Sequence, residues 1–311
     1  MRTLLLLLAL LLSSCLSRSA PADDLQKCCG VVVIDGQQQG TGSIISSEGL
    51  VLSAAHVVRG HDGKITWFSP SLGHRELSIV ALDPAHDLAL LQLPKGLSSL
   101  EHLDIAKSEP AAGDEAWLYG HPMMRRDYLV PGRWGMRAPQ CIYLPDQKLF
   151  AELRPVTGSA VPGFSGGPWV NDEGEICGVQ SAIIMMNQAS VGLSHAAPLY
   201  AIRNLVAKPV STSTGDLGLI VDSLYECSPA ERRKIAGEAL DGAVVRALQK
   251  SSPCRDLIQV NDVITTVDGD SIISSGELIQ KIRRFAPDHK FKIGLLREGK
   301  RLELEVVSAA L

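Results

Sequence analysis

The apolar positions of this chain fall in short runs separated by turn residues. Val31-Val32-Val33-Ile34 is followed by Asp35-Gly36, a second run covers 40–45, and Ser46-Ser47-Glu48-Gly49 leads into Leu50-Val51-Leu52. Strands this short, with turn signals about every ten residues, predict a sandwich or barrel. Residues 64–68, 76–81, 88–93 and 115–119 continue the pattern, and no long amphipathic helix interrupts it before residue 201. Residues 121–145 are rich in Pro, Gly, Arg and aromatics and carry no clear period, which predicts a long irregular loop of the kind that is functional or mobile. Further strands are expected at 149–153, 168–171, 176–184 and 191–196, then a helix at 199–206. Two groups of about six strands imply two barrels.

The composition changes at Lys208-Pro209-Val210-Ser211-Thr212-Ser213-Thr214-Gly215, which reads as a linker. Beyond it come a run at 217–224, a charged helix over 228–240 opening at Ser228-Pro229, and a strand at 242–245. A strand at 262–267 meets the hairpin dipeptide Asp268-Gly269. Ser275 is expected to cap a helix reaching Phe285, with Leu278, Ile279 and Ile282 on one face and Pro287 beyond its end. Strands at 290–296 and 302–307 close a small α+β domain. The expected organisation is a leader over 1–22, a mainly β domain over 23–207, a linker over 208–215 and the α+β domain over 216–311. At 311 residues the chain is long enough for each domain to bury its own core.

Charge narrows the partners. A net charge of −4, with basic residues scattered in pairs such as Arg125-Arg126, gives no reason to expect nucleic acid. The N-terminus has the layout of an export signal: Arg2, then an apolar run over 4–12 too short to span a bilayer comfortably. Leu12-Ser13-Ser14-Cys15 resembles the bacterial lipobox, in which the cysteine is lipidated and tethers the mature protein to a membrane. Ala20-Pro21-Ala22 offers a competing cut that would release a soluble chain. The six other cysteines are compatible with disulfides, Cys227 and Cys254 being the first pair to consider, or with buried free thiols. No Cys-x-x-Cys or His-Glu-x-x-His spacing suggests a metal, and no cofactor is implied.

Three segments carry chemistry. In Gly163-Phe164-Ser165-Gly166-Gly167-Pro168 a serine stands on a glycine-flanked turn, where backbone N–H groups can approach a reacting carbonyl. Such a nucleophile needs a base and a group to orient that base. Ser53-Ala54-Ala55-His56 offers an imidazole directly after the strand at 50–52. Asp87-Leu88-Ala89-Leu90-Leu91 offers a lone carboxylate opening an apolar strand, and an imidazole N–H is a partner that would justify burying it.

These segments, in this order, together with Gly40-Thr41-Gly42-Ser43-Ile44-Ile45, resemble the trypsin-like serine proteases of the HtrA/Deg type. The resemblance runs from about residue 40 to the C-terminus. It implies a mainly β fold with two barrels of the chymotrypsin/trypsin kind followed by one PDZ domain, and a serine endopeptidase working in protein quality control without ATP. It implies Ser165 as nucleophile, His56 as general base, Asp87 as its orienting partner, and the N–H groups of Gly163 and Ser165 as the oxyanion hole. Ala160, Ser194, His195 and Ala196 would wall the pocket for the substrate side chain, which in this family takes small or medium apolar residues. Three positions depart from the pattern: Phe164 replaces a small polar residue, Trp169 an aliphatic one, and Ser194-His195-Ala196-Ala197-Pro198 stands where Gly-Phe-Ala-Ile-Pro is common. The loop over 121–137 corresponds to a regulatory region, so activity is expected to be gated. In the C-terminal domain, Asp216-Leu217-Gly218-Leu219 resembles a PDZ carboxylate-binding loop, with Leu278 and Ile282 lining the groove. The partners implied are unfolded proteins and peptide C-termini, with a bacterial periplasmic location, a lipid anchor at Cys15 and a homotrimer. A peptide-binding scaffold with a resting site, or a narrow protease cutting one membrane partner, is the alternative.

Overall fold

The computed structural model describes residues 22–97, 99–125, 127–136, 138–144, 147, 149–186 and 189–310. Residues 1–21 of the expected leader, Cys15 among them, lie outside the described residues. The described chain opens with a short helix, α1 (Ala22–Cys28), from which Leu25 and Cys28 turn inward and are buried.

The first sheet collects β1 (Cys29–Ile34), β2 (Gln37–Ile44), β3 (Leu50–Ala54), β4 (Ile65–Ser69), β5 (Gly73–Glu76), β6 (Ser78–Asp83) and β7 (Leu88–Gln92). Among the described residues its order is β5-β4-β1-β2-β3-β7-β6, with antiparallel neighbours throughout. A one-turn helix, α2 (Ala55–Val58), follows β3 directly.

The second sheet contains β8 (Glu115–Gly120), β9 (Tyr128–Trp134), β10 (Gln140–Leu144), β11 (Leu149–Thr157), β12 (Pro168–Val170), β13 (Ile176–Met186) and β14 (Ala189–Pro198). Its order is β10-β11-β14-β13-β12-β8-β9, and β9 pairs with β11 as well, which closes the sheet on itself. The stretch expected to be an irregular loop therefore contributes two strands. Pairing explains what periodicity missed: β9 is held along its length by β8 and at Arg133 and Trp134 by β11, so the partners set its backbone despite Pro131 and Gly132. A helix, α3 (Leu199–Ala207), lays Leu199, Ala201, Ile202 and Leu205 against the core.

The composition of 208–215 suggested a spacer, but part of it is fastened to the first sheet. Thr212 N–H donates to the Leu82 carbonyl at 2.9 Å, and its hydroxyl donates to Asp83 at 2.9 Å. Leu82 N–H donates to Ser211 Oγ. The last domain has β15 (Gly215–Asp216), β16 (Leu219–Ser223), α4 (Pro229–Ala236), β17 (Ala243–Leu248), β18 (Val263–Val267), β19 (Asp270–Ser271), α5 (Ser275–Arg283), β20 (Lys290–Arg297), β21 (Lys300–Val307) and β22 (Ala309–Ala310). The cap of α5 is Ser274 rather than Ser275: its hydroxyl accepts from Glu277 N–H, one residue earlier than the sequence suggested.

Cys227 and Cys254 lie in separate apolar clusters, and all the described cysteines are free thiols, so the pairing expected from shared domain membership does not form. Burial keeps these thiols protonated: it pushes Cys28, Cys141, Cys177 and Cys254 each up to about 12.

Candidate active site

Asp87 is the most constrained residue of the site. It ends the turn before β7 with a φ of 54°, a left-handed backbone disfavoured for a non-glycine residue. That conformation brings the strand start against α2, where Ala55 N–H donates to the Asp87 carbonyl at 3.0 Å. The side chain is 1% exposed, and its oxygens are nevertheless well supplied with donors. Oδ1 accepts the His56 N–H at 2.9 Å, Oδ2 lies 2.7 Å from His56 Nδ1, and Ser181 Oγ also donates to Oδ2. A carboxylate only accepts, so this contact puts the imidazole proton on Nδ1 and makes Nε2 the basic nitrogen. Neither Ser181 nor its role was visible in the sequence, because an isolated serine inside a strand carries no signal of its own.

Ser165 stands on a turn fixed from both sheets. Thr41 of β2 donates its N–H to the Ser165 carbonyl and its hydroxyl to the Gly163 carbonyl, both at 2.8 Å. Two glycines are required by space: a Cβ on Gly166, whose φ is 82°, would stand 2.2 Å from the Thr41 carbonyl oxygen, and one on Gly167 would stand 2.3 Å from that of Tyr119. Gly166 N–H donates to the Gln180 carbonyl and Gly167 N–H to that of Phe164, each at 2.8 Å.

The peptide groups before Gly163 and Ser165 are held by their carbonyls. Pro162 O accepts from Met123 N–H and Phe164 O from Gly167 N–H. In a trans peptide the N–H points opposite to the carbonyl. Among the described residues no hydrogen bond takes up the N–H of Gly163 or of Ser165. Phe164, the departure noted in the sequence, is 2% exposed and packs with Trp169, Trp134 and Leu118 in the core of the second sheet. It anchors the turn from below. Trp169, the second departure, is fully buried and donates its indole N–H to Gln180 at 2.9 Å, with Gly132 and Gly158 leaving room for the ring.

His56 and Ser165 line one open cleft of about 920 Å³, together with Gln180, Ile183 and His195. Its far wall is the β10–β11 hairpin, through Ile142 and Tyr143. Of the four residues expected to wall the substrate pocket, His195 faces this cleft. Ala160 and Ala196 are fully buried in the second core, and Ser194 is buried with its hydroxyl on the Gly158 carbonyl at 3.0 Å. Burial pushes the His195 imidazole down to about 4, so it is neutral at neutral pH. His86, next to Asp87, is engaged elsewhere: Nδ1 lies 2.7 Å from Asp83 and Nε2 3.1 Å from the Tyr200 hydroxyl.

The residues singled out in the last domain are placed differently. Leu217, Leu219, Leu278 and Ile282 are buried in one cluster that also takes in Phe150 of β11, with Cys141 and Tyr143 of β10 against it. Gly218 N–H donates to Asp216 Oδ1 at 2.5 Å. Asp216 Oδ2 in turn stands 3.6 Å from the buried Arg283 guanidinium.

A two-sheet β domain carrying a Ser, His and Asp group, joined to a small domain in which a helix packs beside a curled sheet, defines a trypsin-like peptidase domain with one PDZ domain. Family models agree: residues 40–179 match the trypsin-like peptidase domain and residues 215–307 match the PDZ domain. The chain is similar to proteases of the HtrA/Deg type. It is 29% identical over 285 residues to a probable periplasmic serine endoprotease, DegP-like, of Pseudomonas putida, covering 89% of this chain and 57% of the relative. It is 28% identical over 285 residues to the periplasmic serine endoprotease DegP of Salmonella typhimurium, covering 87% and 58%. The chain thus spans just over half the length of these curated relatives. Among solved structures, the HtrA-type protease AlgW with decapeptide superposes with a TM-score of 0.65 at 21% identity, covering 95% of this chain and 97% of that one. A serine endoprotease from Yersinia pestis superposes with a TM-score of 0.61 at 19% identity, covering 94% and 99%.

Proposed function

We propose that this chain is an exported serine endopeptidase that cuts unfolded proteins without ATP. The observation that carries the reading is the Asp87-bound His56 lining one cleft with Ser165, on a turn where the N–H groups of Gly163 and Ser165 have no acceptor among the described residues. In this mechanism His56 Nε2 takes the proton from Ser165 Oγ as the oxygen attacks the scissile carbonyl. Asp87 holds the imidazole and stabilises the imidazolium. The N–H groups of Gly163 and Ser165 receive the oxyanion, an interaction that typically lowers the barrier by a few kcal/mol. His56 then protonates the leaving amine, and water hydrolyses the acyl-enzyme by the same route.

The PDZ domain receives peptide C-termini in this reading, in the manner of strand addition at the β16 edge. The names of the relatives support a periplasmic location, and the Leu12-Ser13-Ser14-Cys15 segment supports a lipid anchor at Cys15. Substitution of Ser165 by Ala tests the central step. Cleavage of casein is expected to vanish while the thermal transition is kept, and undiminished cleavage by the variant would remove Ser165 from the chemistry.

A narrower protease, answering to a peptide at its PDZ domain, is the second reading. It is supported by the β10–β11 hairpin, which contributes Tyr143 both to the cleft and to the packing on the PDZ cluster.

A further inference from the structure

His195 of β14 stands across the sheet from Ala182, one residue past Ser181, with Pro155 of β11 on its other side. The residue is 6% exposed, and what exposure it has opens on the cleft that holds Ser165. Among the described residues no hydrogen bond reaches either ring nitrogen, and neither nitrogen is sealed from the cleft. Among the described residues, buried side-chain atoms without a hydrogen bond lie elsewhere, at the Trp134 indole, the Thr214 hydroxyl and the Arg283 guanidinium. The polar groups around His195 are already engaged: Gln180 between Trp169 and the Ala182 carbonyl, Ser181 with Asp87, Ser194 with Gly158. The rest of that wall is apolar, with Val161, Pro162 and Ile183, and among the described residues that line the cleft there is no carboxylate to meet a basic side chain.

We infer that His195 selects a substrate whose side chain before the cut carries an acceptor oxygen at the length of glutamine or glutamate. This inference rests on the protease reading and names the substrate class of that same site. A neutral imidazole presents one N–H donor, and the side-chain oxygen of Gln or Glu supplies the acceptor. An aliphatic side chain in the same place would cover the ring nitrogens without replacing the water it displaces, and a buried donor left unmade is penalised. Sites that hydrogen-bond one substrate atom reject analogues lacking it more strongly than apolar pockets distinguish one methylene. Lysine and arginine find no counter-charge there. The neutrality of the ring agrees with this role, since burial keeps it unprotonated until a ligand oxygen arrives.

The test uses the full chain and a set of quenched-fluorescence peptides that differ only before the scissile bond: Gln, Glu, Leu, Val and Lys. The Gln or Glu peptide is expected to exceed Leu and Val in kcat/KM by about tenfold or more. His195→Val and His195→Leu are expected to invert that order, two variants guarding against one that fails to fold. Fluorophosphonate labelling of Ser165, run alongside, reports an assembled site in each protein. Labelling with a preference for Leu or Val in the unsubstituted chain overturns the role of His195 alone, as does an order unchanged in both labelled variants. Absence of labelling together with cleavage of no peptide overturns the protease reading and this inference with it. The Gln and Glu arms separate the amide from the carboxylate.

Discussion

The turn at Ser165 and the loop at Gly218 are both short glycine-bearing segments that offer backbone N–H groups, and they differ in what those groups meet. At Ser165 the flanking carbonyls are held by Thr41, Met123 and Gly167, while the N–H groups of Gly163 and Ser165 have no acceptor among the described residues. At Gly218 the N–H is already taken by Asp216, whose carboxylate also lies beside Arg283. The first loop is fixed by its neighbours with its donors unspent. The second satisfies its own donor, and Phe150 of the neighbouring domain sits in the apolar cluster beside it. In the proposed function a substrate carbonyl would therefore enter a prepared site, whereas a peptide C-terminus would have to compete with a carboxylate of this chain.

The largest expected effect bears on the prepared site. Asp87→Asn reverses the hydrogen-bond demand on His56 Nδ1, and kcat is expected to fall about 10⁴-fold, with KM little changed. A loss of less than tenfold in steady-state kinetics would mean that Asp87 does not set the tautomer. Phe164→Ala tests whether the turn is held from below: deleting a fully buried ring is expected to lower stability by about 3–5 kcal/mol in urea melts, with activity lost as well. A variant that keeps its stability would place the anchoring in Thr41 alone.

The third prediction concerns pH. The His195 pKa is lowered from 6.5 to about 4 in the folded chain, so the unfolded chain takes up the proton first as pH falls. The stability this contributes is complete above pH 6.5 and is lost as pH falls towards 4, an amount of up to about 3 kcal/mol. His195→Val is expected to flatten that part of the profile, measured as urea midpoints against pH. The smallest effect tests the self-satisfied loop. Asp216→Ala frees the Gly218 N–H and removes the competing charge, so a peptide with a free C-terminus is expected to bind about tenfold more tightly by calorimetry. Unchanged or weaker binding would break the contrast between the two loops.

His56, Asp87 and Ser165 were legible because each stands out against its neighbours: an imidazole after an apolar strand, a carboxylate before one, a hydroxyl among glycines. The short strands and their turns were legible for the same local reason. Residues that act through space rather than through pattern were not. Thr41 and Ser181 hold the Gly163 carbonyl and the Asp87 carboxylate from strands distant in sequence; the Thr41 segment stood out only as part of a motif, without this role, and nothing in its own segment marks Ser181. β9 and β10 escaped notice because their pairing, not their periodicity, makes them strands. Phe164 and Trp169 read as departures, and tertiary packing turns them into the floor of the turn. Leu217, Leu219, Leu278 and Ile282 were read as lining a ligand groove; their packing with Phe150 of the neighbouring domain had no signal in the local pattern.

The central claim is that the Ser165 site stands assembled before any ligand reaches the PDZ domain. Labelling of the full chain by a fluorophosphonate, followed by mass spectrometry with and without an added C-terminal peptide, measures this directly. The account expects one adduct, on Ser165, formed at a rate that differs less than about twofold between the two conditions. Labelling that appears only when the peptide is present would contradict it.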